Sequence, residues 1–212
     1  MSSLTPDYGI YLVTDYNYLR NRSLYECVKI ALESGVSIVQ YRAKEKDSLH
    51  MYEEALTLKK LCDTYNKSFI VNDRLDIAMA VGADGVHLGQ SDIPCAIARR
   101  ILGSSFIIGV SAHNEIEAKK AESDGANYLG CGAVFGTSSK TGVSTLGLKN
   151  LSKICSSVSI PVVGIGGINT NNYKDVLSAG ARGAAFISGI LKAENIEVEV
   201  AKLLAIKFKC KH

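Results

Sequence analysis

The stretch Gly180-Ala-Arg-Gly-Ala-Ala-Phe-Ile187 sets the reading of the whole chain. A helical segment ends in glycine, and a short apolar run follows. The same form recurs at Ser34-Gly-Val-Ser-Ile-Val-Gln40, Gly82-Ala-Asp-Gly-Val-His-Leu-Gly89 and Gly125-Ala-Asn-Tyr-Leu-Gly130. The leading glycines, Gly35, Gly82, Gly125 and Gly180, lie 47, 43 and 55 residues apart. Glycine just past a helix end adopts the left-handed conformation without a Cβ penalty, so each marks a helix C-cap. Four further apolar runs, Tyr8–Thr14, Ser68–Val71, Phe106–Val110 and Ile160–Ile165, sit between these. The chain therefore has eight candidate strands.

Nearly all are continuous Val/Ile/Leu-rich runs, the pattern of parallel strands buried on both faces. Amphipathic stretches separate them: Leu24–Glu33, Leu49–Tyr65, Pro94–Leu102, Glu115–Glu122, Leu148–Ser156, Tyr173–Leu177 and Ile196–Lys207, with a fainter helical pattern at Leu75–Ala80. Asn114 is placed to cap the helix that begins at Glu115. Eight alternating β and α units point to the α/β class and a (βα)8 TIM barrel. An open doubly wound sheet is the alternative, but it usually carries a glycine-rich phosphate loop after its first strand. Here that strand ends Val-Thr-Asp15. No linker or low-complexity stretch divides the chain, so residues 1–212 read as a single barrel domain, shorter than the ~250 residues typical of the class.

Composition narrows the function. With 212 residues, 47% hydrophobic and 21% charged, the chain is an ordinary globular protein, not a disordered, fibrous or coiled-coil one. A net charge of +3 is too balanced to imply nucleic-acid or membrane binding. The basic end, Lys207, Lys209, Lys211 and His212, reads as a solvated helix tail. Neither a signal peptide nor a transmembrane run is indicated. Six scattered cysteines, with no CxxC, read as reduced and mostly buried, which suits a cytoplasmic protein. A homo-oligomer is compatible with this sequence. Nineteen glycines against three prolines imply many tight turns or close backbone approaches.

In such barrels chemistry gathers at the C-terminal ends of the strands. Gln40, Arg42 and Lys44 alternate after the second strand and so point to one side. Their cations suit a diphosphate or a solvated strand end. Asp73 and Asp92 end neighbouring strands, and two carboxylates beside phosphate-binding cations suit Mg²⁺. The nearby Lys and Arg are expected to keep both acids ionised. Gly164-Ile-Gly166-Gly167 and Ile187-Ser188-Gly189, after strands seven and eight, suit a phosphate. Thr137, Ser138, Ser139 and Lys140 form a hydroxyl-rich loop with a cation. His113 is a candidate base or a hydrogen-bonded structural residue, and His87 reads as a satisfied core histidine rather than a metal ligand. Two anion subsites result, one for a Mg²⁺-diphosphate and one for a phosphomonoester.

Six strings carry a resemblance: Gln-Tyr-Arg-Ala-Lys (40–44), Val-Asn-Asp (71–73), Val-His-Leu-Gly-Gln-Ser-Asp (86–92), Gly-Val-Ser-Ala-His (109–113), Thr-x-Ser-Lys (137–140) and Val-Gly-Ile-Gly-Gly-Ile (163–168). In this order the chain resembles the thiamine-phosphate synthase family from about Tyr8 to Leu204. The resemblance implies a (βα)8 barrel that joins an aminopyrimidine methyl diphosphate to a thiazole phosphate, giving thiamine phosphate and pyrophosphate. By the same resemblance, Gln40, Tyr41, Arg42, Ala43, Lys44, Asn72, Ser111 and Lys140 hold the pyrimidine diphosphate. Thr137, Ser138, Ser139, Gly167, Ile187 and Ser188 hold the thiazole phosphate, and Asp73 and Asp92 bind Mg²⁺. Arg42, Lys44 and Lys140 then act on the leaving diphosphate in a dissociative reaction that needs electrostatics and positioning more than a general base. The sequence departs from the family's usual Pro-Thr-x-Thr-Lys loop at Gly136 and Ser139, and Ala133 stands where a Pro is usual; the lost prolines loosen the loop. A thiazole tautomerase-like barrel would not need the diphosphate and metal groups. A non-catalytic phosphate-sensing barrel would be free to lose the carboxylates.

Overall fold

Ile10-Tyr-Leu-Val13 is buried at every position, which only a strand covered on both faces requires. The computed structural model describes residues 6–136 and 145–210. Among them eight strands alternate with helices: β1 (Ile10–Val13), β2 (Ile38–Tyr41), β3 (Ser68–Asn72), β4 (Gly85–Leu88), β5 (Ile107–Ala112), β6 (Tyr128–Gly132), β7 (Val162–Ile165) and β8 (Gly183–Phe186). All neighbours are parallel, and β1 pairs with both β2 and β8, so the sheet closes into a TIM barrel. Closure excludes the open doubly wound sheet.

The helices that return the chain are α1 (Leu24–Glu33), α2 (Ser48–Thr64), α3 (Leu75–Ala80), α4 (Cys95–Leu102), α5 (Glu115–Ser123), α6 (Gly147–Ser157), α7 (Tyr173–Ser178), α8 (Ser188–Leu191) and α9 (Ile196–Lys209). Their ends follow the local sequence. Asn114 accepts a hydrogen bond from the Glu117 amide and caps α5, as the sequence suggests; such a cap contributes about 1 kcal/mol. After α1, Gly35 has φ of 108°, its amide donates to the Leu32 carbonyl, and the Val36 amide donates to the Ala31 carbonyl. This is the Schellman turn. Gly82, Gly125 and Gly180 repeat it after α3, α5 and α7. The four leading glycines thus turn the chain from helix into strand. The short α8 falls where the sequence shows no helical period, since four residues make only one turn.

Side-chain alternation along the strands builds two cores. Ile10, Leu12, Val39, Phe69, Val86, Leu129 and Phe186 face out and pack under the helices. Tyr11, Val13, Ile38, Ile70, Tyr128, Val163 and Ala185 face in and fill the barrel. One expectation fails at the base of the barrel. Lys207 is not a solvated tail: it is buried, its ammonium pairs with Asp7 and it lies against Gly9, which has no Cβ to block it. Lys209 is exposed, and Lys211 and His212 lie outside the described residues. Cys27, Cys62, Cys95 and Cys131 are free and buried, Cys155 is half-buried and Cys210 exposed. No helix among the described residues is long and apolar enough to cross a membrane.

Candidate active site

The inward positions at the C-terminal ends of the strands surround a cavity of about 480 Å³. Gln40, Arg42 and Lys44 all line it, as alternation along a strand requires. Arg42 is held at both ends. Its amide donates to Thr14 Oγ1 at 2.8 Å, and its Nη1 donates to Asp15 Oδ2 at 2.8 Å. Asp15 is buried and also accepts from the Asn17 amide at 3.0 Å. A guanidinium has five donors, so this pairing leaves others for a ligand. Asp15 carries a role that the sequence reading missed; its signal was a carboxylate at the end of β1, on the rim.

Tyr41 and Ala43 are corrections. They alternate with the lining residues and so face the helix layer. The Tyr41 hydroxyl donates to Glu54 on α2 at 2.7 Å, a carboxylate that Tyr16 also reaches, and Ala43 is buried in the outer core. Neither side chain lines the cavity.

Asn72, Asp73 and Asp92 line the wall beside Lys44. Asp73 has φ of 64°, a left-handed conformation that Asp tolerates better than most residues. The turn is set by the Asp73 amide donating to the His87 carbonyl (2.9 Å) and the Arg74 amide to the Asn72 carbonyl (2.8 Å). Asp92 Oδ2 accepts from the Gly89 amide at 2.6 Å. Burial pushes the Asp73 carboxyl up to about 6, and the Asp92 charge adds to it; Lys44 and Arg42 pull the other way but do less. The cations thus offset only part of the burial cost, and Asp73 still ionises below pH 7. A carboxyl raised by burial and by a neighbouring carboxylate's charge marks a place short of positive charge. Among the described residues no three His, Cys, Asp or Glu converge as a metal cage. The donor set fits Mg²⁺, which takes one or two carboxylates and completes its shell with water and phosphate oxygens.

Across the barrel, Gly166, Gly167, Ile187 and Ser188 form the opposing wall. Gly166 and Gly167 have φ of 95° and 68°, and a Cβ on either would come within 2.6 Å of the Ala133 or Gly136 backbone. Asn172 Nδ2 donates to the Gly167 carbonyl at 3.0 Å and steadies the turn. Ser188 opens α8. Thr137, Ser138, Ser139 and Lys140 lie outside the described residues.

His87 does have partners, Tyr128 Oη and Ser111 Oγ at 3.0 Å each, but it lines the cavity rather than a closed core. Tyr11 and Tyr128 line it too, and the sequence reading had assigned neither. Isolated tyrosines in apolar runs carry no local signal of a site. His113 stands at the mouth and bonds Glu117 through Nδ1 at 2.9 Å.

Cations and paired acids on one wall, with glycine turns on the other, give this (βα)8 barrel a cavity whose groups suit phosphorylated ligands. A family model described as thiamine monophosphate synthase matches residues 10–190. The chain is 51% identical over 191 residues to the thiamine-phosphate synthase of Clostridium acetobutylicum, covering 90% of each. It is 46% identical to that of Ruminiclostridium cellulolyticum, covering 94% of this chain and 95% of the relative. Among solved structures, the thiamine phosphate pyrophosphorylase of Pyrococcus furiosus superposes with a TM-score of 0.89 at 40% identity, over 98% of both chains. This chain belongs to the thiamine monophosphate synthase family and is thereby a transferase of thiamine biosynthesis.

Proposed function

We propose that the protein joins 4-amino-2-methyl-5-(diphosphooxymethyl)pyrimidine to 4-methyl-5-(2-phosphooxyethyl)thiazole, forming thiamine phosphate. The carbon–oxygen bond to diphosphate breaks, the bond from that methylene carbon to the thiazole nitrogen forms, and pyrophosphate leaves. One observation carries the reading: Arg42, Lys44, Asn72, Asp73 and Asp92 share one cavity with Gly167, Ile187 and Ser188 on its opposite wall. That layout suits two phosphorylated ligands facing each other.

In this reading Arg42 and Lys44, with Lys140, bind the diphosphate and stabilise its charge as it leaves. Asp73 and Asp92 would hold Mg²⁺, which when bound supplies positive charge to the leaving group. Asp15 keeps the Arg42 guanidinium turned to the ligand. Gln40, Asn72 and Ser111 orient the pyrimidine. Gly167, Ile187 and Ser188, with Thr137, Ser138 and Ser139, hold the thiazole phosphate. The chemical step is dissociative, so positioning dominates and no general base is assigned. The scattered free thiols suit a reducing cytoplasm.

The test is direct. The protein is incubated with Mg²⁺ and both substrates, and thiamine phosphate is measured. Product that requires all three components is expected; none, with substrates that a known synthase converts, overturns the reading.

A further inference from the structure

The floor of the cavity carries a continuous chain of hydrogen bonds. Gln40 Nε2 donates to Tyr11 Oη at 2.8 Å. Tyr11 Oη lies 2.7 Å from Tyr128 Oη, which lies 3.0 Å from His87 Nδ1. His87 Nε2 lies 3.0 Å from Ser111 Oγ. The five residues come from β2, β1, β6, β4 and β5, so the chain crosses the barrel interior. Two glycines give it room. A Cβ on Gly109 would lie 2.4 Å from Tyr128 Oη, and one on Gly130 would lie 2.8 Å from the His87 ring.

One set of proton positions gives every hydroxyl of this chain an acceptor within it. An amide nitrogen only donates, so Tyr11 accepts from Gln40, and in this arrangement its own proton goes to Tyr128. Tyr128 has one proton and places it on His87 Nδ1. A neutral imidazole that accepts at Nδ1 carries its hydrogen on Nε2 and donates it to Ser111 Oγ. The Ser111 proton is then directed away from His87, and the cavity is what its side chain lines. At the other end Gln40 keeps Oε1 as an acceptor. Burial raises both phenols far above the ordinary tyrosine range, so each keeps the proton that the count needs.

We propose that Tyr11, Tyr128 and His87 are positioning residues forming a one-way relay, which presents Gln40 Oε1 as an acceptor and Ser111 O–H as a donor to the ring of the bound ligand. The ring it selects is an amino-substituted nitrogen heteroaromatic: the exocyclic amine donates to Gln40, and a ring nitrogen accepts from Ser111. An oxo ring with a protonated nitrogen at those places sets acceptor against acceptor and donor against donor. A site built on paired hydrogen bonds rejects such a mismatch strongly, because buried groups are left without partners. The ligand's identity rests on the proposed reaction; the direction of the relay does not.

The experiment is histidine-selective ¹³C/¹⁵N NMR of the full-length free enzyme, with His87 assigned by comparison with His87→Gln. His87 is expected as the neutral Nε2–H tautomer at pH 7.5. In Tyr128→Phe that tautomer preference is expected to disappear. The KM for the aminopyrimidine diphosphate should rise about tenfold, the worth of one hydrogen bond of this kind. The KM for the thiazole phosphate should stay within about twofold, since the opposing wall is untouched. Inhibition by the 4-oxo analogue of the pyrimidine diphosphate should strengthen relative to the amino substrate. If Tyr128→Phe does not fold, Tyr11→Phe breaks the same chain one link earlier and is read by the same KM split. An Nδ1–H tautomer or an imidazolium in the free enzyme overturns the relay, as does a link-breaking variant with unchanged tautomer and unchanged KM. An Nε2–H tautomer in an enzyme that makes no thiamine phosphate supports the relay and sinks the reaction instead.

Discussion

Asp73 and Asp92 reach the same wall from the ends of β3 and β4, and the charge of Asp92 helps hold the Asp73 carboxyl up at about 6. Like charges brought together at a site destabilise the protein that carries them. Because the folded pKa of Asp73 lies above its unfolded value of 3.8, the folded state binds the extra proton between those pH values. The sign follows: this term costs stability as pH rises through that window and costs most above about pH 6. Asp73→Asn, which also tolerates the left-handed backbone, is expected to raise the Tm of the metal-free protein at pH 8. Discounted for the half-exposed site, the gain is of the order of 1 kcal/mol, roughly 2–4 °C for a chain of this size. The gain should vanish at pH 4, and the stabilisation by added Mg²⁺ should be lost. Thermal unfolding at both pH values, with and without Mg²⁺, checks this.

Asp15 contributes through Arg42. Asp15→Asn removes the carboxylate partner but keeps the shape, so Arg42 loses the contact that aims its guanidinium. An expected loss of about 2 kcal/mol in binding corresponds to roughly a thirtyfold higher KM for the pyrimidine diphosphate. The thiazole phosphate KM should hardly change. Asp15→Glu, which restores the charge, should recover part of the loss. Steady-state kinetics with each substrate varied in turn decides it; equal effects on both KM values would mean general damage.

Tyr41 faces Glu54, not the cavity. Tyr41→Phe should lower stability by about 1 kcal/mol, the worth of one partly buried hydrogen bond to a carboxylate. Both KM values should stay within about twofold of the unaltered protein. Urea unfolding and kinetics on one preparation test the pair of statements; a large KM change would return Tyr41 to the site.

The seam between β8 and β1 depends on Gly183. A Cβ there would lie 1.9 Å from the Tyr8 carbonyl oxygen, a backbone atom that cannot swing away. Gly183→Ala is expected to cost about 3 kcal/mol or more, or to prevent folding. Gly82→Ala is the control. It has φ of 63° and nothing within 4 Å of the added Cβ, so only the left-handed penalty of about 1–2 kcal/mol applies. Soluble yield and urea midpoints should rank the two variants in that order; a milder Gly183→Ala would mean the seam can open.

Much of this was legible along the chain because it is local. The glycines at 35, 82, 125 and 180 follow helix ends, so a one-dimensional pattern finds them. Gln40, Arg42 and Lys44 share a face because strand side chains alternate over two residues. The same alternation turns the Tyr41 and Ala43 side chains to the helix layer. Lys207 is the opposite case: its partner Asp7 is 200 residues away, and nothing near it in sequence announces the pair.

The order and kind of the elements apart from α8, the rim that carries the ionisable groups and the family were thus settled by sequence alone, since each rests on short spacings and motif order. Strand pairing and barrel closure decided the rest. Only closure brings β1 beside β8 and turns Tyr11, Gln40, His87, Ser111 and Tyr128, from five separate strands, into one floor. Strand pairing, β3 with β4 and β1 with β2, sets the Asp92 charge against Asp73 and the Asp15 carboxylate on Arg42. Proton positions and carboxyl affinities depend on distances of a few ångström between residues far apart in the chain, and those distances exist only in the folded barrel.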